Sequence, residues 1–137
     1  MKTQVTSSSE SHKYLIPPIF RFLTEFTTWS WFILAAFTKN LIYITGLILS
    51  IGLLAFFNTP GDKAKDGPVN VPGYLRIVIE IFSGFLGIFG AWILFGVFGL
   101  LLQGGLTILT FILDAERWAW FLGIREHPPE SVSRLLK

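Results

Sequence analysis

Residues 81–113 read IFSGFLGIFGAWILFGVFGLLLQGGLTILTFIL, a stretch of 33 residues with no charged side chain. A second apolar stretch, residues 26–57, carries one charge, Lys39. A helix that crosses the hydrocarbon core of a bilayer needs roughly 20 apolar residues, so each stretch is too long for one crossing and suits most of a helical hairpin. A soluble domain of 137 residues has too small an interior to hide both. We therefore predict an all-α integral membrane protein.

Turn-forming residues divide these stretches into helices. Pro17 and Pro18 suit the first turn of a helix, and residues 58–72 are rich in Pro, Gly, Asp and Asn, which indicates an aqueous loop. The last apolar stretch contains two glycine-bearing candidate reversals, at 95–98 and 103–105. We favour 95–98 because it gives helices of similar length to the first pair. The sequence thus predicts four transmembrane helices, at about 17–38, 41–57, 73–94 and 98–114.

The charged residues predict how these helices are oriented. Residues 1–16 are expected to be a disordered polar tail without a cleavable signal peptide, and residues 115–137 an interfacial or cytoplasmic segment. With four crossings, both tails and loop 58–72 share one side of the membrane. That side holds nearly all the Lys and Arg residues, whereas the opposite turns hold only Lys39. Positively charged flanks favour the cytoplasm, so both termini are predicted to be cytoplasmic.

An internal repeat appears at an offset of 55 residues. Residues 17–26 and 72–81 share the pattern P-x-x-x-R-φ-φ-x-E-φ, in which φ is apolar. The matched positions fall at equivalent points of the two predicted hairpins. Since a unit of two crossings returns to the side on which it began, the sequence predicts two parallel repeats, related by an axis along the membrane normal.

The repeat defines four candidate site residues, Arg21, Glu25, Arg76 and Glu80. Residues four apart lie on one helix face, and an unpaired carboxylate in an apolar environment is costly, so each should have a partner. Two pairings are open: Arg21 with Glu25 and Arg76 with Glu80, or the crossed pairs Arg21 with Glu80 and Arg76 with Glu25. The four residues either hold the helices together or let Glu25 and Glu80 line a cavity for a proton, cation or small ligand.

No pattern in the sequence indicates catalysis. The chain has no cysteine, and its two histidines lie in the polar tails, so we predict no catalytic, metal-binding or cofactor-binding residues and a protein that is not an enzyme. Asp62 is interpreted as part of a solvated turn and Trp118 as an interfacial anchor. A net charge of +2 is explained by the flanks, so no nucleic-acid partner is expected.

The repeated motifs also carry a family resemblance. The Arg-φ-φ-x-Glu start of the first helix, the Pro-Gly-x-φ-Arg-φ-φ-x-Glu-φ start of the third and the Phe-x-x-Pro connection resemble the YrdB-like family of small bacterial membrane proteins. The resemblance covers about residues 17–113. It implies four transmembrane helices and a location in the bacterial cytoplasmic (inner) membrane, with no established biochemical function. The chain departs from the family in its longer tails and in the loop at 61–71.

Two hypotheses for function follow. The absence of a catalytic pattern, together with fourteen Phe residues that cannot all fit inside so small a bundle, favours an accessory or assembly subunit of a membrane complex or a small homo-oligomer. Its expected partners are membrane lipids and other subunits or copies of itself. The alternative is a small transporter or channel in which Glu25 and Glu80 bind a coupling proton or cation.

Overall fold

The computed structural model describes residues 15–62, 68–129 and 132. Four α-helices are found, as predicted, although their bounds differ from the predicted ones. The third observed helix covers both of the helices predicted at 73–94 and 98–114. The fourth observed helix lies within 115–137, the segment predicted to be interfacial or cytoplasmic. Most of the predicted disordered tail lies outside the described residues. The elements are α1 (Ile16–Thr38), a 3-10 helix (Leu41–Tyr43), α2 (Ile44–Phe56), β1 (Phe57–Asn58), β2 (Val69–Asn70), α3 (Gly73–Leu113) and α4 (Ala115–Phe121).

The prediction of four transmembrane helices is wrong. Among the described residues, only α3 is both long and apolar enough to cross a membrane. Helix α1 is 23 residues long, but Arg21, Glu25 and several Thr, Ser and Trp side chains make it less apolar. Helix α2 has 13 residues and spans only about 20 Å, short of a hydrocarbon core of roughly 30 Å. The predicted topology of two parallel hairpins with both termini cytoplasmic depended on four crossings and is overturned with them.

Helix α3 reverses its direction at Gly96, whose φ of 60° and ψ of −138° are not helical. A Cβ atom built on Gly84 would lie 2.8 Å from Cγ2 of Thr107. On a continuous helix, residues 23 positions apart would be separated by about 35 Å. Helix α3 therefore consists of two antiparallel arms, a first arm (73–95) and a second arm (97–113). The reversal falls in the segment that the sequence favoured, 95–98.

Helix α1 packs against both arms through a seam of buried polar groups. The hydroxyls of Thr24 and Thr110 lie 2.6 Å apart, and Trp31 Nε1 donates a hydrogen bond to Gln103 Oε1 at 2.9 Å. A Cβ on Gly87, in the first arm, would collide with Thr28 Oγ1 of α1, so glycine is what permits this close approach. The seam fixes α1 against both arms because each buried polar group needs its partner there.

Helix α2 brings the chain back to the end of the bundle where α1 begins. After it, β1 and β2 form a two-residue parallel pair that closes the loop between them. The start of α3 lies against α4, since a Cβ on Gly73 would collide with the Phe121 backbone. The start of α1, the loop before β2, both ends of α3 and helix α4 thus meet at one end, which we call the ionic end.

Because α3 reverses at Gly96, we expect a side chain at this position to destabilise the protein. We expect Gly96→Ala to lower the free energy of unfolding by about 1–3 kcal/mol, because an L-residue is strained at this φ and ψ. No atom lies within 4 Å of a Cβ built at Gly96, so the cost is conformational and not a collision. Detergent-solubilised protein and its thermal unfolding midpoint provide the measurement.

Gly105→Ala is the matched control for this prediction. Its Cβ also meets open space, but its backbone is helical. Alanine is favoured over glycine in a helix by up to about 1 kcal/mol. Equal midpoints for the two variants would show that Gly96 is not a strained reversal.

Candidate functional site: the ionic end

Arg117 lies at the centre of a buried ionic cluster. Its Nε and Nη2 donate to the two carboxylate oxygens of Asp62, both at 2.6 Å. Its Nη1 and Nη2 donate to the two oxygens of Glu80, at 3.0 Å and 2.7 Å. The guanidinium carbon also lies 4.5 Å from the centre of the Phe121 ring. Only 2% of the Arg117 side chain is exposed, so the two carboxylates replace its hydration.

Glu80 receives hydrogen bonds from two further side chains. Arg76 Nε donates to its Oε1 at 3.1 Å, and Trp118 Nε1 donates to its Oε2 at 2.9 Å. Arg76 also donates through Nη1 to the carbonyl oxygens of Leu54 and Phe57 at the end of α2. Both Glu80 oxygens are therefore engaged by charged or strongly polar donors, an arrangement that favours the carboxylate form.

A second ion pair connects α1 to the end of α3. Arg21 donates through Nε and Nη2 to the two oxygens of Asp114, at 2.8 Å and 2.6 Å. Asp114 also lies 3.5 Å from Arg117 Nη1. About 24% of the Arg21 side chain is exposed, against 2% for Arg76 and Arg117. Arg21 is thus the guanidinium of the cluster that water or a ligand can reach.

Local chain geometry brings these side chains together. Asp62 ends a turn in which its N–H donates to Thr59 O and Gly61 adopts a φ of 84°. Asp114 is the C-cap residue of α3 and the N-cap residue of α4. Arg117 and Trp118 follow it by three and four residues, which on a helix returns them to the same face. The first turn of α4 therefore faces the cluster.

Charge balance keeps Arg117 ionised. Burial by itself would lower its pKa, but the attraction of Glu80 and the hydrogen bonds to Asp62 outweigh burial and raise the pKa above its usual value. Three guanidinium groups at this end, of Arg21, Arg76 and Arg117, face four carboxylates. The four carboxylates are those of Asp62, Asp114, Glu25 and Glu80, and the last two line the adjoining cavity.

A small cavity adjoins the cluster between α1 and the arms of α3. Its volume is about 30 Å³, room for only one or two water molecules. Glu25 and Glu80 border it, as do the hydroxyl-bearing residues Thr24, Thr28 and Ser83. Among the described residues, no three His, Asp or Glu side chains are grouped so as to hold a metal ion. The cavity can hold water or a proton relay but not an organic substrate.

The four residues singled out from the sequence lie at or beside this cluster. Arg76 and Glu80 form the within-helix pair, whereas Arg21 pairs with Asp114, so neither observed pair is a crossed one. Glu25 lines the cavity. The repeat in the sequence is therefore not matched by a repeat in the side-chain contacts, because Arg21 and Arg76 have different partners and different exposure.

Sequence reasoning missed the residues that complete the cluster: Asp62, Asp114, Arg117 and Trp118. Reading Asp62 as part of a solvated turn was wrong, since only 1% of its side chain is exposed. Trp118 donates to Glu80, a contact that an interfacial anchor does not need. One signal was present: Asp114 ends a long uncharged stretch, and Arg117 follows at helical spacing. Asp62 gave no comparable signal, because its partner is 55 residues away.

No protein-family model matches the chain, and no curated protein or solved structure matches it. The site must therefore be interpreted from its own geometry.

Removing the central guanidinium should be strongly destabilising. We expect Arg117→Met to lower the free energy of unfolding by about 3–5 kcal/mol, because Asp62 and Glu80 would remain buried without their main counter-ion. Chemical denaturation of the purified protein in detergent measures this.

Arg125→Met is the matched control. Arg125 pairs with Glu116 at 2.9 Å, but both side chains are at least half exposed, so its loss should cost no more than about 1 kcal/mol. Adding Asp62→Asn to Arg117→Met should recover part of the lost stability. A double variant as unstable as the sum of the two single changes would contradict the proposed coupling.

Proposed function

We propose that this protein is a non-enzymatic membrane protein that acts as an accessory or assembly subunit of a membrane complex or as a small homo-oligomer. The observation that carries the proposal is the distribution of polarity. Large apolar side chains cover the outside of the helices, with Phe37 81% exposed and Phe98 71% exposed. Ionic side chains such as Arg76 and Arg117 are buried instead. Water-soluble domains rarely have this arrangement.

Lipid is the solvent that fits such a surface. Helix α3 has the length and apolarity to enter a bilayer, and its two arms bring both of its ends to the ionic end. Charged residues within apolar segments are tolerated where they face the protein interior and pair with one another. The outer face of the second arm supports this environment through a row of exposed apolar residues: Val97, Phe98, Leu101, Ile108 and Ile112.

The same face supports association with another helix. A Cβ on Gly104 or Gly105 would meet no atom within 4 Å, and Leu101 and Ile108 beside them are exposed. In membranes, small residues allow helix backbones to approach closely, which drives association where burial of apolar surface cannot. A helix of a second subunit or a second copy fits this surface better than lipid alone.

Fractionation and mild solubilisation test the proposal. We expect the chain to stay with the membrane pellet after alkaline carbonate extraction, because α3 is held by lipid and not by charge. Isolated in a mild detergent, it should elute as a complex larger than its 15.4 kDa monomer. Release by carbonate, or a monodisperse monomer with no copurifying protein, would contradict the proposal.

A transporter or channel is the second candidate, supported by one observation. Glu25 and Glu80 border the same cavity beside hydroxyl groups, as in a proton path. Glu80 has both oxygens engaged by Arg117, Arg76 and Trp118. Glu25 is half-buried beside the same cavity, and we propose it as the residue that takes up a proton.

A proteoliposome flux assay discriminates between the two functions. If the chain transports protons or a coupled cation, Glu25→Gln should abolish flux, because an amide cannot carry a proton. Glu80→Gln should also impair flux, through destabilisation. Glu116→Gln serves as the control, since that side chain is 71% exposed. No flux from the wild type, or flux indifferent to Glu25→Gln and Glu80→Gln, would rule out this candidate.

A further inference from the structure

A groove of about 480 Å³ lies between the start of α2 and the first arm of α3. Its volume falls within the range of small-molecule sites, about 300–1,000 Å³. The groove is separate from the water-sized cavity, because the two share no residue. Its walls are mostly apolar and come from α1, the 3-10 helix, α2 and the first arm: Phe32, Ile42, Leu49, Leu86 and Phe89.

The groove lies toward the end of the bundle opposite the ionic end, which we call the far end. Helix α1 and the first arm both begin at the ionic end and run side by side. A Cβ on Gly90 would lie 3.3 Å from the Cβ of Trp31, and the ring centres of Trp31 and Phe95 are 5.5 Å apart. Continuing this register brings the end of α1 to about the level at which α3 reverses. Both features define the far end.

Helix α2 starts near the far end and runs back from it. A Cβ on Gly46 would collide with the ring of Phe32, which follows Trp31 on α1. Near its other end, α2 accepts a hydrogen bond from Arg76 through the Leu54 carbonyl oxygen. The groove therefore extends from the far end toward the middle of the bundle, beside the first turns of α2.

Lys39 and Tyr43 supply polar groups where the groove meets the far end. Lys39 is exposed and is the C-cap residue of α1. Tyr43, four residues later, borders the groove. Within residues 15–62, 68–129 and 132, the Lys39 ammonium group has no ion pair and the Tyr43 hydroxyl has no hydrogen bond. Lys39 is thus a cation without a counter-ion, unlike the paired guanidinium groups of the ionic end.

A ligand with an anionic head and a hydrocarbon chain matches this arrangement. A lysine attracts phosphate as a point charge, and a tyrosine hydroxyl can donate to a phosphate oxygen. Ile42, Leu49 and Phe89 are exposed on the outside of the bundle, so lipid around the chain would meet the groove from the side. A helix about 10–12 Å across fills roughly 400–600 Å³ with a single turn. The groove is therefore too small for a partner helix, whereas an extended chain fits along it.

We propose that this groove binds one acyl chain of a phospholipid whose headgroup has a net negative charge. The phosphate is held by Lys39 and Tyr43, and the acyl chain packs between Phe32, Leu49 and Phe89. A zwitterionic lipid binds less tightly, because its own ammonium group already balances the phosphate charge that Lys39 would attract. The proposal rests on the membrane location that is part of the proposed function.

Native mass spectrometry of the full chain in detergent tests the selectivity. Phosphatidylglycerol and phosphatidylcholine with the same acyl chains are added at equal concentration. We expect phosphatidylglycerol to bind about fivefold more tightly, which corresponds to about 1 kcal/mol, the usual contribution of one lysine near anionic lipid. In Lys39→Gln the preference should fall to about twofold or less. Arg125→Gln removes one positive charge from an exposed pair at the other end and should keep the preference.

Filling the groove tests where the acyl chain lies. Leu49→Trp and Thr45→Trp add bulk from the α2 side, and at least one should retain several-fold less of both lipids than the wild type. Ile48→Trp is the matched control, because Ile48 is 65% exposed and does not line the groove. Thermal midpoints close to the wild type identify the folded variants. If neither filled variant folds, the comparison with Lys39→Gln decides the question.

Three results would each overturn the proposal. They are equal binding of the two lipids by the wild type, an undiminished preference in Lys39→Gln, and folded filled variants that retain as much lipid as Ile48→Trp. Failure of the proposed function gives a different result. Release from membranes by carbonate would remove both proposals, whereas unselective lipid binding by a protein that stays in the membrane pellet would remove the groove proposal alone.

Discussion

The buried guanidinium of Arg117 is the interaction on which the ionic end depends. It joins the loop through Asp62 and the first arm of α3 through Glu80, and it lies near Asp114 at the end of the second arm. Taking a guanidinium and its carboxylates out of water costs several kcal/mol per ion, and the attraction offsets this only when geometry and hydrogen bonds are complete. Loop, arms and α4 must therefore assemble together. The cluster therefore gives this arrangement of loop, arms and α4 a much lower free energy than similar arrangements in which these ion pairs are incomplete.

Different interactions hold the rest of the bundle together. Away from the ionic end, α1 is held against the arms by a few buried polar contacts, among them Gln103 with Trp31 and Thr24 with Thr110. Glycines such as Gly87 let these helices approach closely. In the membrane location proposed for this chain, close packing and interhelical hydrogen bonds would hold the helices together, since lipid is as apolar as a leucine side chain. The outward-facing aromatic and aliphatic groups then remain available for lipid or another subunit.

The two copies of the sequence repeat make different side-chain contacts because they have different neighbours in the fold. Glu80 lies beside α4 and the loop before β2. These elements supply Arg117, Trp118 and Asp62. Arg21 instead pairs with Asp114, and about 24% of its side chain stays exposed. One charged pair has thus become a buried structural element.

The sequence by itself determined what depends on nearest neighbours along the chain. It predicted four helices, a reversal at 95–98 where Gly96 adopts a φ closed to most residues, and Arg76 facing Glu80 one turn away. It overestimated the membrane-spanning helices, because α1 carries Arg21 and Glu25 with several Thr, Ser and Trp side chains, and α2 is only 13 residues long. Only the tertiary structure decided that Asp62 and Arg117 are buried together and that Arg21 meets Asp114, 93 residues away. Such pairings depend on which ends of the helices converge, and no local spacing encodes that.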